Sequence, residues 1–238
     1  MTERSIRLHV DAPLAPSAVV TLTTGQAHYT TRVMRCRDGD VVRLFNAAAG
    51  EWAAVLRVGK RTAEAHVTER VRAPRDEAGS ILAMASIKRS RLEWAIEKGT
   101  EMGMSAFQPL ATERTVADRV NLERLKAIAV EAAEQSGRLT LPKLFEILSL
   151  PEWLARRAAA RPLYVALERA SAPTIVEVAA EAGPGDLLIG PEGGFGPRDR
   201  AVLDRDQSVL FVSLGTLILR SETAAIAGLA GLVLAGRR

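Results

Sequence analysis

The sequence predicts an α/β protein built on a mostly parallel sheet, with a smaller β-rich module in front of it. Three observations predict it. Short β-branched and alternating runs recur through the first seventy-odd residues. The stretch Ala73-Pro74-Arg75-Asp76-Glu77-Ala78-Gly79 then carries Pro, Gly and charge with no apolar period, as a linker does. After Ser80 the rhythm changes to apolar strands alternating with helical periods. With 238 residues, 47% hydrophobic and 25% charged, the chain can bury a sizeable core and is neither disordered nor fibrous. The boundaries read as 1–73 for the first domain and 80–238 for the second.

In the first domain, Val19 to Thr23 is β-branched, and Val41 to Phe45 follows the turn Asp38-Gly39-Asp40. Ala53 to Val58 and Ala63 to Thr68 are separated by Gly59-Lys60-Arg61. Short strands at this spacing suggest a small barrel or sandwich. In the second domain, Ile81 to Ile87 is nearly all apolar, as expected of a strand covered on both faces. Ser90-Arg91-Leu92-Glu93 has the form of a capping box, and Leu92, Ala95, Ile96, Gly99 and Met102 follow at helical spacing. Ala117 to Ser136 reads as a second helix with Val120, Leu125, Ile128 and Ala132 on one face. Further strands are expected at Leu163 to Leu167, Leu187 to Ile189 and Val209 to Leu214. Further helices are expected at Pro173 to Ala182, Pro197 to Leu203 and Glu222 to Ala235.

Charge is unevenly placed. Residues 1–75 carry 12 basic and 7 acidic side chains, whereas residues 76–238 carry 20 and 21. The whole net charge of +4 therefore sits in the first third, which points to an anionic partner such as nucleic acid. Arginine makes up 27 of the 32 basic residues, which a GC-rich coding bias also produces, so arginine content alone is not read as RNA recognition. Cys36 is the only cysteine, and His9, His28 and His66 lack metal-ligand spacing, so neither a disulfide nor a metal site is expected. The longest charge-free apolar stretch, Thr223 to Gly236, is too short to span a bilayer. No membrane association and a cytoplasmic location are expected.

Two strand-to-helix junctions carry the candidate chemistry. Ile189-Gly190-Pro191-Glu192-Gly193-Gly194-Phe195-Gly196 leaves a strand, and Pro197 opens a helix. Glycines there let a ligand approach bare main chain, although a tight structural turn needs them too. The stretch has no GxxxxGK[ST] and no GxGxxG, which excludes Walker-type and dinucleotide loops. At the second junction, Leu214-Gly215-Thr216-Leu217-Ile218-Leu219-Arg220-Ser221-Glu222, Ser221 is a candidate cap and Arg220 a candidate anion ligand. Lys88-Arg89-Ser90-Arg91 could bind phosphate or simply be exposed charge.

Taken together, these segments resemble one family: the bacterial 16S ribosomal RNA uridine-N3 methyltransferases of the RsmE type, in the SPOUT superfamily. The carriers are Glu93 to Gly103, Thr112-Glu113-Arg114-Thr115, Glu134-Gln135-Ser136-Gly137-Arg138, Ile189 to Phe195, and Leu214-Gly215 with Ile218 to Ala224. His28 and Val33-Met34-Arg35 before Gly39-Asp40 also match. The resemblance implies a PUA-like RNA-binding β-barrel followed by a SPOUT-type parallel sheet with a C-terminal trefoil knot. It implies S-adenosylmethionine as cofactor, a homodimer, and 16S rRNA of the small ribosomal subunit as substrate. Carried over by motif position, Leu167, Ile189, Gly190, Glu192, Gly193, Gly194, Leu214, Gly215, Ile218 and Leu219 would contact the cofactor. Arg220 and Glu222 would be catalytic, with Arg220 stabilising the uracil anion or orienting the RNA and Glu192, Glu222 or water taking the proton. Arg4, Arg7, Arg32, Arg35, Lys88 and Arg91 would meet RNA. The pattern is broken at Thr216-Leu217, where Pro-Arg is usual, and at Leu125, where Trp is usual. The first change removes an arginine but should leave the main-chain cradle. Two alternatives stand beside this reading: a non-catalytic RNA-binding or assembly protein, and a SPOUT methyltransferase with another RNA target.

Overall fold

A computed structural model describes residues 6–60, 62–115, 119–157, 160–168 and 172–236. Two compact units divide the chain after Glu77, and the later stretch Ala133–Leu141 groups with the N-terminal one. The sequence reading keeps that stretch inside one continuous second domain. The linker composition does not encode the grouping.

The N-terminal unit contains β1 (Arg7–His9), β2 (Val19–Thr21), α1 (Thr24–His28), one π-helical turn (Tyr29–Val33), β3 (Val41–Asn46), β4 (Gly50–Val58) and β5 (Ala63–Arg72). Its sheet runs in the order β1-β3-β4-β5-β2, antiparallel except where β1 joins β3. Period-two alternation sets the faces: Ala63, Ala65 and Val67 turn into a core with Leu8, Val42, Leu44 and Leu56. A capping box that sequence reading passed over starts α1. Thr23 accepts from the Gln26 N–H at 3.2 Å, and Gln26 Oε1 accepts from the Thr23 N–H at 3.1 Å.

The second unit contains β6 (Ile81–Ala85), α2 (Arg89–Glu101), β7 (Ala106–Ala111), α3 (Leu122–Ser136, whose last turn groups with the N-terminal unit), β8 (Lys143–Leu144), β9 (Leu148–Ser149) and α4 (Leu150–Arg156). It continues with β10 (Leu163–Ala166), α5 (Ile175–Ala182), β11 (Asp186–Ile189), α6 (Pro197–Leu203), β12 (Val209–Val212) and α7 (Ser221–Ala235). The sheet order is β12-β10-β11-β6-β7-β8, with β9 also on β7, and every pair is parallel. Its central strands β6, β10 and β11 are nearly all apolar because both faces are covered. Leu82, Met84, Leu187 and Ile189 pack with α2, α3, α5 and α7. Ala83, Leu163, Val165 and Leu188 pack with Trp153 of α4 and Leu203 of α6. The small residues of α7 serve this packing: a Cβ on Gly228 would lie 2.6 Å from the Leu187 side chain.

Three local expectations change. The second helix starts at Leu122, where Asn121 Oδ1 accepts from the Arg124 N–H at 3.0 Å; part of the expected earlier start, residues 117–118, lies outside the described residues. Ser90 lies inside α2, which begins after Lys88, and Glu93 binds Arg89 and Arg124 rather than closing a capping box. Ser221 is the first residue of α7, not its cap; Arg220 occupies the capping position.

Candidate active site

Parallel register builds the site. Ala166 of β10 pairs with Ile189 of β11 and Val212 of β12, so all three strands end level. Leu167, Gly190 and Ser213-Leu214-Gly215 therefore leave the sheet side by side at its carboxyl edge, where open α/β sheets bind ligands. Ile189 buries its side chain in the core and can offer only main chain.

The glycine turn is held from three directions. The Gly194 N–H donates to Pro191 O at 2.8 Å and closes the bend. The Ser221 hydroxyl donates to Gly190 O at 3.0 Å, which fastens the start of α7 to the turn. The Arg114 guanidinium donates to Gly193 O. Beside it, Glu113 Oε2 accepts from the Arg198 N–H at 2.7 Å and the Asp199 N–H at 3.3 Å, satisfying orphan donors at the start of α6. Asp199 Oδ2 in return accepts from the Glu113 N–H at 3.0 Å. The sequence displays Thr112–Thr115 as a motif without a role; its role is to clamp this turn. At the second junction the Gly215 N–H donates to Ser213 Oγ at 3.2 Å. Gly194 and Gly215 take φ of 70° and 119°, where an L side chain is strained. Leu217 and Ile218 are 78% and 54% exposed and form an apolar lip.

A cleft of about 610 Å³ opens between the start of α2 and the segment entering α7. Ser90, Arg91 and Trp94 form one wall, and Ile218, Leu219, Arg220, Glu222 and Thr223 the other. Glu222 is 9% exposed, and its Oε2 has no hydrogen-bond partner. A buried carboxylate oxygen left without a donor is costly, so it marks a place where a ligand can complete the site. Arg91 forms ion pairs with Glu192 of the glycine turn and, at 3.7 Å, with Glu222. Arg220 is exposed at the rim.

Residues 75–233 match the family described as RNA methyltransferase domain, and residues 22–68 match the RNA methyltransferase PUA domain. The ribosomal RNA small subunit methyltransferase E of Rickettsia conorii is 31% identical over 97% of this chain and 96% of its own length. The chain belongs to the ribosomal RNA small subunit methyltransferase E family. The family member from Synechocystis is 34% identical over 90% of this chain and 72% of its own. The crystal structure of the Neisseria gonorrhoeae family member, bound to S-adenosyl methionine, superposes with a TM-score of 0.86 at 26% identity and covers 97% of both chains. A Legionella pneumophila protein solved with the bound cofactor SAM gives 0.87 at 27% identity over 98% of both chains.

Within this family framework, the residues expected to meet RNA separate. Arg7 is engaged within the protein. Its side chain is 13% exposed; Nε binds Glu51 at 3.2 Å, Nη1 donates to Ala133 O and Glu134 O at 2.8 and 2.9 Å, and Nη2 to Arg138 O at 2.7 Å. Four of its five N–H donors go to protein, and Arg7 holds the end of α3. Arg91 lies in the cleft, paired with Glu192 and Glu222, so it faces the site itself. Arg32, Arg35 and Lys88 are exposed, and Arg4 lies outside the described residues. Leu125 is buried in the core, and Thr216 and Leu217 are exposed. Among the described residues there is no cluster of three or more His, Cys, Asp or Glu that could hold a metal, and no helix long and apolar enough to cross a membrane.

Proposed function

We propose that this chain methylates N3 of a specific uridine in 16S rRNA of the small ribosomal subunit, with S-adenosylmethionine as methyl donor, and that it works as a cytoplasmic homodimer. The knotted C-terminal topology and the closed barrel implied by the family resemblance are part of the same proposal. The observation that carries the reading is the cleft, where a buried Glu222 oxygen without a partner lies beside an exposed Arg220 and next to the glycine turn.

The residues at the carboxyl edge suit a cofactor with a polar tail and a flat apolar ring. Gly190, Glu192, Gly193, Gly194, Leu214 and Gly215 would hold it by main chain, joined by the Ile189 backbone. Leu167, Ile218 and Leu219 would supply apolar walls. S-adenosylmethionine supplies an electrophilic methyl group on a sulfonium.

The chain's own residues prepare the nucleophile. Uracil N3 carries a weakly acidic imide proton that must leave before the lone pair can attack. Of the two candidate carboxylates, the Glu192 side chain is 47% exposed and held close by Arg91, whereas the Glu222 side chain is 11% exposed and has one oxygen unengaged. Glu222 takes the proton. The negative charge left on the uracil spreads onto O2 and O4, and the Arg220 guanidinium stabilises it by donating there. Arg32, Arg35 and Lys88 bind the phosphate backbone.

Two measurements test this. Calorimetry with S-adenosylmethionine should show binding; absence of heat removes the enzymatic reading. Mass spectrometry of rRNA from cells with and without the gene should show one N3-methyluridine that disappears on deletion. A lost mark on ribose or on another base would redirect the assignment.

A further inference from the structure

We propose that Trp94 is the platform on which the target base stacks, and that Arg91, Glu222 and Arg220 around it read the imide edge of that base and so select uracil. This rests on the methyltransferase reading above and names the substrate subsite within it. N3 lies on the Watson–Crick edge, so a base methylated there must be unpaired, and its lost stacking must be replaced. Trp94 is suited to replace it. It lies one helical turn beyond Arg91 and Ser90 on α2, faces the cleft with them, and is 40% exposed. The other two tryptophans, Trp52 and Trp153, are 8% and 5% exposed in their cores. A cleft of about 610 Å³ has room for a pyrimidine nucleotide.

The polar groups match one base. Uracil presents an N3–H donor flanked by two carbonyl acceptors. The cleft presents an unpartnered carboxylate oxygen on Glu222, with the guanidinium of Arg91 near its other oxygen and Arg220 at the rim. An acceptor with guanidinia in the same cleft meets a donor between acceptors. Cytosine would set its N3 lone pair against the carboxylate and its amino group against a guanidinium, so it is rejected by repulsion as well as by lost bonds.

The test uses the full-length protein as wild type, Trp94→Phe and Trp94→Ala. Uridine 5′-monophosphate, with tryptophan excited selectively, should quench the emission of the wild type but not of Trp94→Phe, and cytidine 5′-monophosphate should quench neither. Methyl transfer to small subunits from cells lacking the gene should show KM raised about tenfold or more in Trp94→Ala, with Trp94→Phe staying within about threefold of wild type. S-adenosylmethionine affinity should be equal in all three. If wild type transfers methyl groups and Trp94→Ala matches its KM, or if the quench persists in Trp94→Phe, the platform is wrong while the methyltransferase reading stands. Equal quenching by the cytidine nucleotide overturns the uracil selection. A wild type that transfers nothing overturns the underlying reading and the subsite with it. Should Trp94→Ala misfold, the contrast between wild type and Trp94→Phe decides the matter alone.

Discussion

Glu51 in the N-terminal unit and Glu222 in the second unit are both buried glutamates beside arginines, yet their surroundings differ in one respect. Glu51 gathers Arg7, at 3.2 Å, and Arg72 on its Oε2, and further donors of those guanidinia reach the carbonyls of Ala133, Glu134, Gly137 and Arg138. The Arg7 guanidinium also lies 4.1 Å over the Phe45 ring. Glu222 has one arginine at 3.7 Å and an oxygen with no donor at all. Burial alone therefore does not mark a functional carboxylate. A closed network stabilises and specifies a fold, whereas an open one sacrifices stability for a group that a ligand will satisfy.

The largest effect should come from closing the open network. Glu222→Gln keeps the shape but cannot take a proton as a carboxylate does. Methyl transfer at saturating substrates should fall by about a hundredfold or more, with S-adenosylmethionine binding and melting temperature nearly unchanged. Transfer within a few-fold of wild type would pass the proton to water. Arg220→Ala should also lose about a hundredfold while keeping cofactor affinity, as removal of an anion-stabilising donor does.

Opening the closed network should act on stability instead. Arg7→Ala leaves Glu51 with one partner and strips donors from three carbonyls. Urea unfolding should show a loss of about 3 kcal/mol or more. Arg91→Ala, in the half-open cleft, should cost within about 1 kcal/mol by the same assay. Equal costs would erase the distinction drawn between the two clusters.

How legible each cluster is in the sequence follows from its span. β6, β10, β12 and the Leu187–Ile189 part of β11 are plain because they are apolar runs, and Pro197 announces α6 to the residue. β7 is hidden because Gln108 and Pro109 interrupt its pattern; the Gln108 amide is satisfied by the carbonyls of Pro109 and Glu146. α4 was readable from Ser149 and Glu152, a capping box ahead of a buried Trp153. Arg7 was not, since its partners lie 126 to 131 residues away and nothing near it in sequence distinguishes it from a surface arginine. The grouping of Ala133–Leu141 with the N-terminal unit was unreadable for the same reason. A truncation at residue 75 leaves that segment without its partners, so it removes more than an RNA-binding module.

A smaller effect should follow from pH at Glu77, which ties the same segment down. Burial pushes its carboxyl up, but hydrogen bonds from the Thr140 hydroxyl, the Thr140 and Leu139 N–H groups and the Arg75 guanidinium outweigh this and hold it below the usual carboxylate range. A carboxyl depressed in the folded state contributes stability that is fully present above its unfolded value and is lost as pH falls through its folded one. Glu77→Gln should therefore be less stable than wild type at neutral pH, and the gap should close on acidification. A gap constant with pH would assign the contribution to packing rather than charge.

The smallest effect separates charge from backbone at one RNA candidate. Arg35 is exposed and has a φ of 58°, a region that costs an L residue about 1 kcal/mol and that glycine enters freely. The bend is held by the Cys36 N–H on Thr30 O at 2.9 Å. Arg35→Gly removes the charge and relieves that conformation, while glycine's extra freedom in the unfolded chain takes back part of the gain. Stability should stay level or rise by up to about 1 kcal/mol as affinity for rRNA falls. If Arg35 neutralises a phosphate, the slope of log affinity against log salt should become shallower by about one. Arg7→Ala should shift stability without that direct change in slope, because its guanidinium is already committed to protein carbonyls. A common loss of slope in both variants would mean that the closed cluster, too, reaches RNA.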